Sequence, residues 1–69
     1  MNQELFAIRL KKLRESMHLT QNQFGALLNI AQTTLSSYEK GSKTPNIDTL
    51  CNIAENVMYL LIGYVVEQI

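Results

Sequence analysis

Apolar residues recur at helical spacing in the first quarter of the chain. Within residues 4–17 they follow one another at intervals of three or four positions, and charged residues fill the positions between them. This periodicity predicts an amphipathic helix with one face turned toward a core. The inward residues of this helix are Phe6, Leu10, Leu13 and Met17.

Polar residues mark the ends of the next two helices. Thr20 lies three positions before Gln23, which is the spacing of a capping box. Asn29 tolerates the left-handed conformation that ends many helices, and Gly41 does so at no steric cost. We therefore expect a second helix over residues 20–29 and a third over residues 31–40. The expected inward residues of the second helix are Phe24, Leu27 and Leu28.

A fourth helix is predicted after Pro45. Asn46 is a favourable N-cap, and Asp48 complements the positive end of the helix dipole in the first turn. Beyond it, residues 57–62 are apolar on all sides, so either the fourth helix continues or a fifth begins after a shortened connection. The expected inward residues of the fourth helix are Ile47, Leu50, Ile53, Ala54 and Val57.

The last residues of the chain allow two interpretations. Gly63 precedes a run rich in Tyr and Val, which favour strands, so residues 63–69 are predicted to pair with the same segment of a second subunit as an antiparallel strand. The alternative is a frayed tail over a monomeric core. The apolar residues 57–62 favour a dimer, because so small a domain cannot bury every side of them.

The third helix has an unusual polar face. At 100° per residue, Leu35 and Tyr38 lie on one side and only uncharged polar residues and one lysine lie on the other. Gln, Ser and Thr suit hydrogen bonding to base edges in the major groove. Taken alone, however, the pattern also fits a solvated helix face. The polar face consists of Gln32, Thr33, Ser36, Ser37 and Lys40.

Residues 20–41 closely resemble the helix-turn-helix of the phage Cro/repressor-like family, often called the XRE family. The shared features are the Thr-Gln start, the Leu-Leu pair, Ile30 in the turn and the closing Ser-x-Tyr-Glu-Lys-Gly. The resemblance extends over about residues 5–56. It implies a compact all-α domain of four to five helices over residues 1–62, with the helix-turn-helix at helices 2 and 3 and residues 63–69 as a tail.

The resemblance also implies roles for individual residues. The expected DNA base contacts are Gln32, Thr33 and Ser37. The expected DNA backbone contacts are Gln21, Ser36, Lys40, Lys43 and Thr44. Gln21 is also expected to brace Gln32.

Three further positions are structural in this resemblance. Arg14 and Glu39 match a pair that forms a partly buried ion pair in the family, with an exposed surface pair as the alternative. Gly25 lies where the family needs a small residue, because the second and third helices cross closely; otherwise it is only a weak point in the helix. Ala31 departs from the family pattern, which has Ser or Thr there to cap the third helix.

Composition limits the alternatives. The 69 residues fit one domain, and the net charge of zero argues mildly against a nucleic-acid partner. The basic residues are nevertheless concentrated in the first helix and after the third. The single Cys51 excludes an internal disulfide and fits a reducing compartment, and no export or membrane segment is evident. We therefore expect a cytoplasmic protein.

The sequence thus predicts a transcriptional regulator, acting as a repressor, that binds a double-stranded DNA operator as a homodimer. The alternative is a protein-interaction module, such as an antitoxin or antirepressor partner, that uses the apolar C-terminal surface. No enzyme is expected, because the chain has no Ser/His/Asp set and no glycine-rich phosphate loop. His18 and Cys51 each stand without ligand spacing, so no metal, cofactor or small-molecule ligand is expected.

Overall fold

A computed structural model describes residues 2–68, without the side chains of residues 64–66 and 68. This part of the chain forms four helices and no strand, which confirms the all-α fold. The four helices are α1 (Gln3–Ser16), α2 (Gln21–Leu28), α3 (Gln32–Lys40) and α4 (Ile47–Gln68).

Side chains cap the N-termini of three helices, and the sequence predicts two of these caps. The Thr20 hydroxyl accepts from the Gln23 N–H at 3.1 Å, and the Gln23 side chain accepts from the Thr20 N–H at 2.9 Å. At the end of α2, Asn29 has the left-handed φ of 59°. Asn46 accepts from the Thr49 N–H at 2.8 Å, and Asn2 caps α1. These bonds satisfy backbone donors that a helix leaves free at its start.

The core lies where α1, α2, α3 and the first half of α4 meet. Phe24, Leu28 and Leu35 have at most 1% of their surface exposed. The ring of Phe6 contacts Tyr38 edge-on at a centroid distance of 6.4 Å, which joins α1 to α3. Around them, partly buried residues complete the core from α1, the loops and α4. These are Leu13, Met17, Leu19, Ile30, Val57 and Leu60.

The predicted inward faces of α2 and α4 were too wide. Leu27 is 45% exposed and Ile47 is 72% exposed, so neither belongs to the core; Ala54 is exposed as well. Ile47 and Ala54 lie about 120° and 100° around the helix from the buried Ile53, both on the same side of it. Only the narrower face that includes Ile53 and Val57 reaches the core.

Helix α4 continues through residues 57–62, where the sequence allowed either a longer fourth helix or a separate fifth helix. It runs from Ile47 to Gln68 without a break, so there is no fifth helix among the described residues. The predicted strand over residues 63–69 is wrong for residues 63–68, and Ile69 lies outside the described residues. Once a helix has formed, each added residue gains a backbone hydrogen bond, and one Gly costs only about 1 kcal/mol. Gly63 alone therefore does not stop the helix. The division into residues 1–62 and a tail stays a prediction.

Helix α3 lacks a side-chain cap. Ala31 is its N-cap, with an extended backbone (φ −66°, ψ 146°) and no side-chain hydrogen bond to the first turn. Ala31→Ser places a hydroxyl where it can accept from a free N–H, so we expect a gain of about 1 kcal/mol in the free energy of unfolding. Thermal melts measure it, with Ala26→Ser as the control. Ala26 is exposed within α2, where Ser has a lower helix propensity than Ala and should stabilise nothing. An equal effect of both substitutions would contradict the capping explanation.

No described helix combines the length and apolar content that crossing a bilayer requires.

Candidate functional site

The turn between α2 and α3 brings their backbones into close approach at Gly25. A Cβ atom added to Gly25 would lie 2.9 Å from the Ile30 carbonyl oxygen and 3.7 Å from the Gln32 nitrogen. The Ile30 N–H also donates to the Gly25 carbonyl at 2.9 Å. Because the nearest atoms belong to the backbone of the turn, no rotation of a neighbouring side chain can make room for a larger residue. This geometry confirms the close approach of α2 and the turn that was expected at Gly25.

Helix α3 is fixed to the core by one face and presents the other to solvent. Leu35 is fully buried and Tyr38 nearly so. On the opposite face, Thr33 and Lys40 are exposed. The remaining residues of that face are half-buried, and they are Gln32, Ser36 and Ser37. The five polar residues singled out in the sequence therefore share one accessible surface.

An ion pair joins α1 to the end of α3. The Arg14 Nε and Nη2 atoms donate to the two carboxylate oxygens of Glu39 at 2.8 and 3.0 Å. Arg14 Nη1 donates to the Leu19 carbonyl at 2.9 Å. The exposed fractions of the two side chains are 13% and 3%, so the pair is largely buried. The hydrogen bond to Glu39 raises the pKa of Arg14 above its ordinary value, and the guanidinium is charged throughout the physiological range.

Two glutamines extend this ion pair to the exposed face of α3. Gln21 Nε2 donates to the Glu39 carboxylate at 3.1 Å, and Gln32 Nε2 donates to Gln21 Oε1 at 2.6 Å. Since an ionised carboxylate only accepts hydrogen bonds, Glu39 fixes which end of the Gln21 amide faces it. The Gln21 oxygen is then left to accept from Gln32. The predicted bracing of Gln32 by Gln21 is present, and Glu39 sets its direction.

A family model described as helix-turn-helix matches residues 10–56. The chain belongs to this helix-turn-helix family. The resemblance of residues 20–41 to an XRE-type helix-turn-helix is thereby confirmed.

One relative is the "Uncharacterized HTH-type transcriptional regulator YqaE" of Bacillus subtilis (strain 168). It is 33% identical over 63 residues, which make up 91% of this chain and 53% of that protein. This chain therefore spans about half the length of the relative that it matches. No solved structure matches the chain at a significant level.

The C-terminal end of α3 in the helix-turn-helix is tied down by hydrogen bonds that the sequence did not indicate. The Ser42 hydroxyl donates to the Ser37 carbonyl at 3.1 Å, and the side chain of Gln3 donates to the Gly41 carbonyl. The Ser37 hydroxyl donates to the Thr33 carbonyl at 3.1 Å, so it has only acceptor capacity left for another partner. These bonds hold the end of α3 against α1 and the following loop.

The residues predicted to contact phosphates differ in exposure and in the hydrogen-bond donors that they still have free. Lys40, Lys43 and Thr44 are exposed at and just after the end of α3. Gln21, in contrast, already uses its side-chain oxygen and one N–H within the protein. Its remaining donors are its second side-chain N–H and its backbone N–H at the start of α2. The five predicted backbone contacts and three predicted base contacts stay predictions.

Two further contacts of the site were missed in the sequence. The Leu19 carbonyl partner of Arg14 and the bond between Gln21 and Glu39 join residues that no helical periodicity relates. Cys51 is exposed on α4, away from these contacts. The described residues contain no grouping of His, Cys, Asp and Glu that would hold a metal ion.

Proposed function

We propose that this chain is a transcriptional regulator, acting as a repressor, that binds double-stranded DNA sequence-specifically with α3 in the major groove. The family match and the name of the relative support DNA-binding regulation. The observation that carries the finer proposal is the hydrogen-bonded series from Arg14 through Glu39 and Gln21 to Gln32. It holds one amide of the exposed α3 face in a defined orientation before any DNA arrives.

Gln32 is the principal proposed base-reading residue. One of its two N–H groups is donated to Gln21, which leaves the other N–H and the side-chain oxygen. This remaining pair matches adenine, whose N7 accepts and whose N6 donates in the major groove. A side chain already held by a partner loses less conformational entropy on binding. We therefore assign to Gln32 the largest share of sequence discrimination.

Thr33 and Ser37 are the other proposed base-reading residues. Thr33 is exposed, and its methyl group suits contact with a thymine methyl. Ser37 has acceptor capacity left, which suits an amino group such as N4 of cytosine or N6 of adenine, directly or through water. These short side chains reach less far than Gln32, so their discrimination should be weaker.

Phosphate contacts are assigned to residues at the edges of the same surface. Lys40 is the last residue of α3, Lys43 and Thr44 follow it, and Ser36 lies one turn before Lys40 on the polar face. Gln21 contributes N–H groups at the start of α2, where the helix dipole favours an anion. Such contacts set affinity and register and carry little sequence information. They compensate locally for a chain whose net charge is zero.

Selection from random duplexes tests this assignment. The unmodified chain should enrich one motif, and Gln32→Ala should lose discrimination at one base pair, by about 1 to 3 kcal/mol. Lys40→Ala is the contrasting variant: it should weaken binding to all sequences about equally and reduce the salt dependence by about one phosphate contact. If Gln32→Ala selected the same motif with the same strength, Gln32 would not be a base-reading residue.

The apolar surface on α4 favours a second candidate function. Met58, Tyr59 and Ile62 are each more than half exposed, and exposed apolar patches mark interaction sites. In this alternative the chain is a protein-interaction module, such as an antitoxin or antirepressor partner, and DNA contact is secondary. Selection that enriches no sequence at low salt would favour it over the regulator.

A further inference from the structure

An apolar groove lies between α1 and the first half of α4. Helix α1 packs mainly on α3 and helix α4 mainly on α2, so the two helices leave this space open between them. The volume of the groove is about 360 Å³, and Leu5 and Leu13 of α1 line it together with Ala54 and Val57 of α4. The buried Ile53 lies at its floor. The groove therefore gives access to one side of the core.

The two rims of this groove differ in charge. Among the described residues that line it, Arg9 alone is charged. Lys12 lies one turn beyond Arg9 and two turns beyond Leu5, so it adds a second exposed cation to the same rim. On the rim formed by α4, Ile47 and Ala54 are exposed and carry no charge. The groove is therefore apolar along its floor and positive along the α1 rim.

We propose that this groove binds an amphipathic helix of another protein, whose apolar stripe enters the groove and whose acidic residues face Arg9 and Lys12. A helix laid into an apolar groove is a recurring mode of protein recognition. Because Arg9 and Lys12 are three positions apart, two acidic residues one turn apart on the bound helix can face both of them. The α1 wall from Asn2 to Leu13 is about 16 Å long, which accommodates about three turns of helix.

Two other occupants fit this groove less well. A small-molecule site normally encloses most of its ligand, whereas this groove is open to solvent. A second copy of this chain would bring the apolar part of its own α4, but residues 56–66 contain no charged residue that could face Arg9 and Lys12. The positive rim therefore favours an acidic helix from a different protein.

The groove faces away from the polar surface of α3. On α1, Ala7 lies beside Gly41 and Arg14 pairs with Glu39, so this side of the helix points toward α3. Arg9 lies about 140° to 160° around α1 from both Ala7 and Arg14. A helix bound in the groove therefore leaves the polar face of α3 uncovered. The inference goes beyond the proposed DNA binding and does not depend on it.

Fluorescence anisotropy with two labelled synthetic peptides tests the proposal without DNA. The first peptide has roughly 15 residues, with leucines at every third or fourth position and glutamates along one side of them. The second has lysine in place of each glutamate. At low salt the chain should bind the glutamate peptide with a dissociation constant on the order of tens of micromolar, because the groove is smaller than a standard interface. The lysine peptide should bind at least about fivefold more weakly, since two ion pairs become two repulsions. Equal binding of the two peptides, or binding of neither, would overturn the proposal.

Charge reversal on α1 tests where the peptide lies. Arg9→Glu should weaken binding of the glutamate peptide several-fold and strengthen binding of the lysine peptide. Lys11→Glu is the matched control, since Lys11 is exposed on the same helix about 160° around it from Arg9. The control changes the net charge equally and should keep the preference for the glutamate peptide. Equal effects of the two substitutions would indicate a general attraction between charges and contradict the assigned groove.

A neutral substitution on α4 tests the apolar part of the groove. Ala54→Gln places a polar side chain in the groove and should weaken the glutamate peptide at least about fivefold. Asn52→Gln is its control, because Asn52 is exposed on the same helix about 160° around it from Ala54. Both positions are exposed, so neither substitution should lower the melting temperature. Equal peptide affinities of the two variants would contradict the proposal.

Sedimentation without peptide tests the alternative that a second copy of the chain covers the groove. Arg9→Glu should sediment as the unmodified chain does at every concentration. A change in self-association caused by this substitution would assign the groove to a second copy and overturn the proposal.

Discussion

Arg14→Ala should destabilise the fold by about 3 kcal/mol, because it leaves the carboxylate of Glu39 without its cation. Only 3% of the Glu39 side chain is exposed, so water cannot replace the lost partner. We expect the lower end of the range for a broken buried pair, because 13% of Arg14 remains in contact with solvent. In a domain of this size, such a loss lowers the melting temperature by about 15 °C.

Thermal melts of three further variants separate this effect from other losses. Lys11→Ala removes an exposed cation from the same helix and should change stability by less than about 0.5 kcal/mol. Arg14→Lys keeps the charge but not the two parallel hydrogen bonds, so its loss should be intermediate. Arg14→Met combined with Glu39→Leu should recover part of the stability. If the Arg14→Ala and Lys11→Ala variants had the same melting temperature, Arg14 and Glu39 would behave as an ordinary surface ion pair.

Much of this fold follows from local rules that act within a few residues. Three helix ends depend on a spacing of three residues or on the backbone preference of one residue. They are the capping box of Thr20 and Gln23, the C-cap at Asn29 and the N-cap at Asn46. Each was predictable because the atoms that interact are close in sequence. The buried positions of Phe24 and Leu35 were predictable for the same reason, since helical periodicity defines one face.

What the sequence did not predict depends on how helices meet. Leu27 has the same spacing as a core residue, yet 45% of its surface is exposed because the other helices cover it only in part. The tail after Gly63 has strand-forming residues, but the helix before it continues through them because each residue gains a hydrogen bond. Local preference gives the wrong conformation where tertiary packing or helix propagation decides.

The candidate site was likewise predictable only in part. The polar face of α3 and the pairing of Arg14 with Glu39 were predicted, the second only from the resemblance. The contact of Gln21 with Glu39 was not predicted, because it joins residues 18 positions apart across two helices. This contact matters most for the proposed function, since it links the structural ion pair to the orientation of Gln32.

Gly25→Leu should be the most damaging substitution at the turn of the motif. A Cβ atom alone would come within 2.9 Å of the Ile30 carbonyl oxygen, and a leucine adds three more carbons in the same direction. To admit them, the turn must move away from α2, which also breaks the hydrogen bond from the Ile30 N–H to Gly25. We expect a loss of at least about 3 kcal/mol, the upper end for overpacked sites. A domain of 69 residues has only about 3 to 10 kcal/mol in total, so this loss removes roughly a third or more of its stability, and a thermal melt should show a clearly lower midpoint.

Alanine substitutions at two glycines separate this steric effect from helix propensity. Gly25→Ala gains about 1 kcal/mol of propensity but must displace the Ile30 carbonyl, so we expect a net loss of about 1 kcal/mol. Gly63→Ala makes the same chemical change in α4, where an added Cβ meets nothing within 4 Å. It should gain about 0.5 to 1 kcal/mol in the same thermal melt. Opposite signs at the two positions are expected because only Gly25 faces backbone atoms of another segment. If both substitutions stabilised the chain, the close approach of α2 to the turn would not be what requires glycine at position 25.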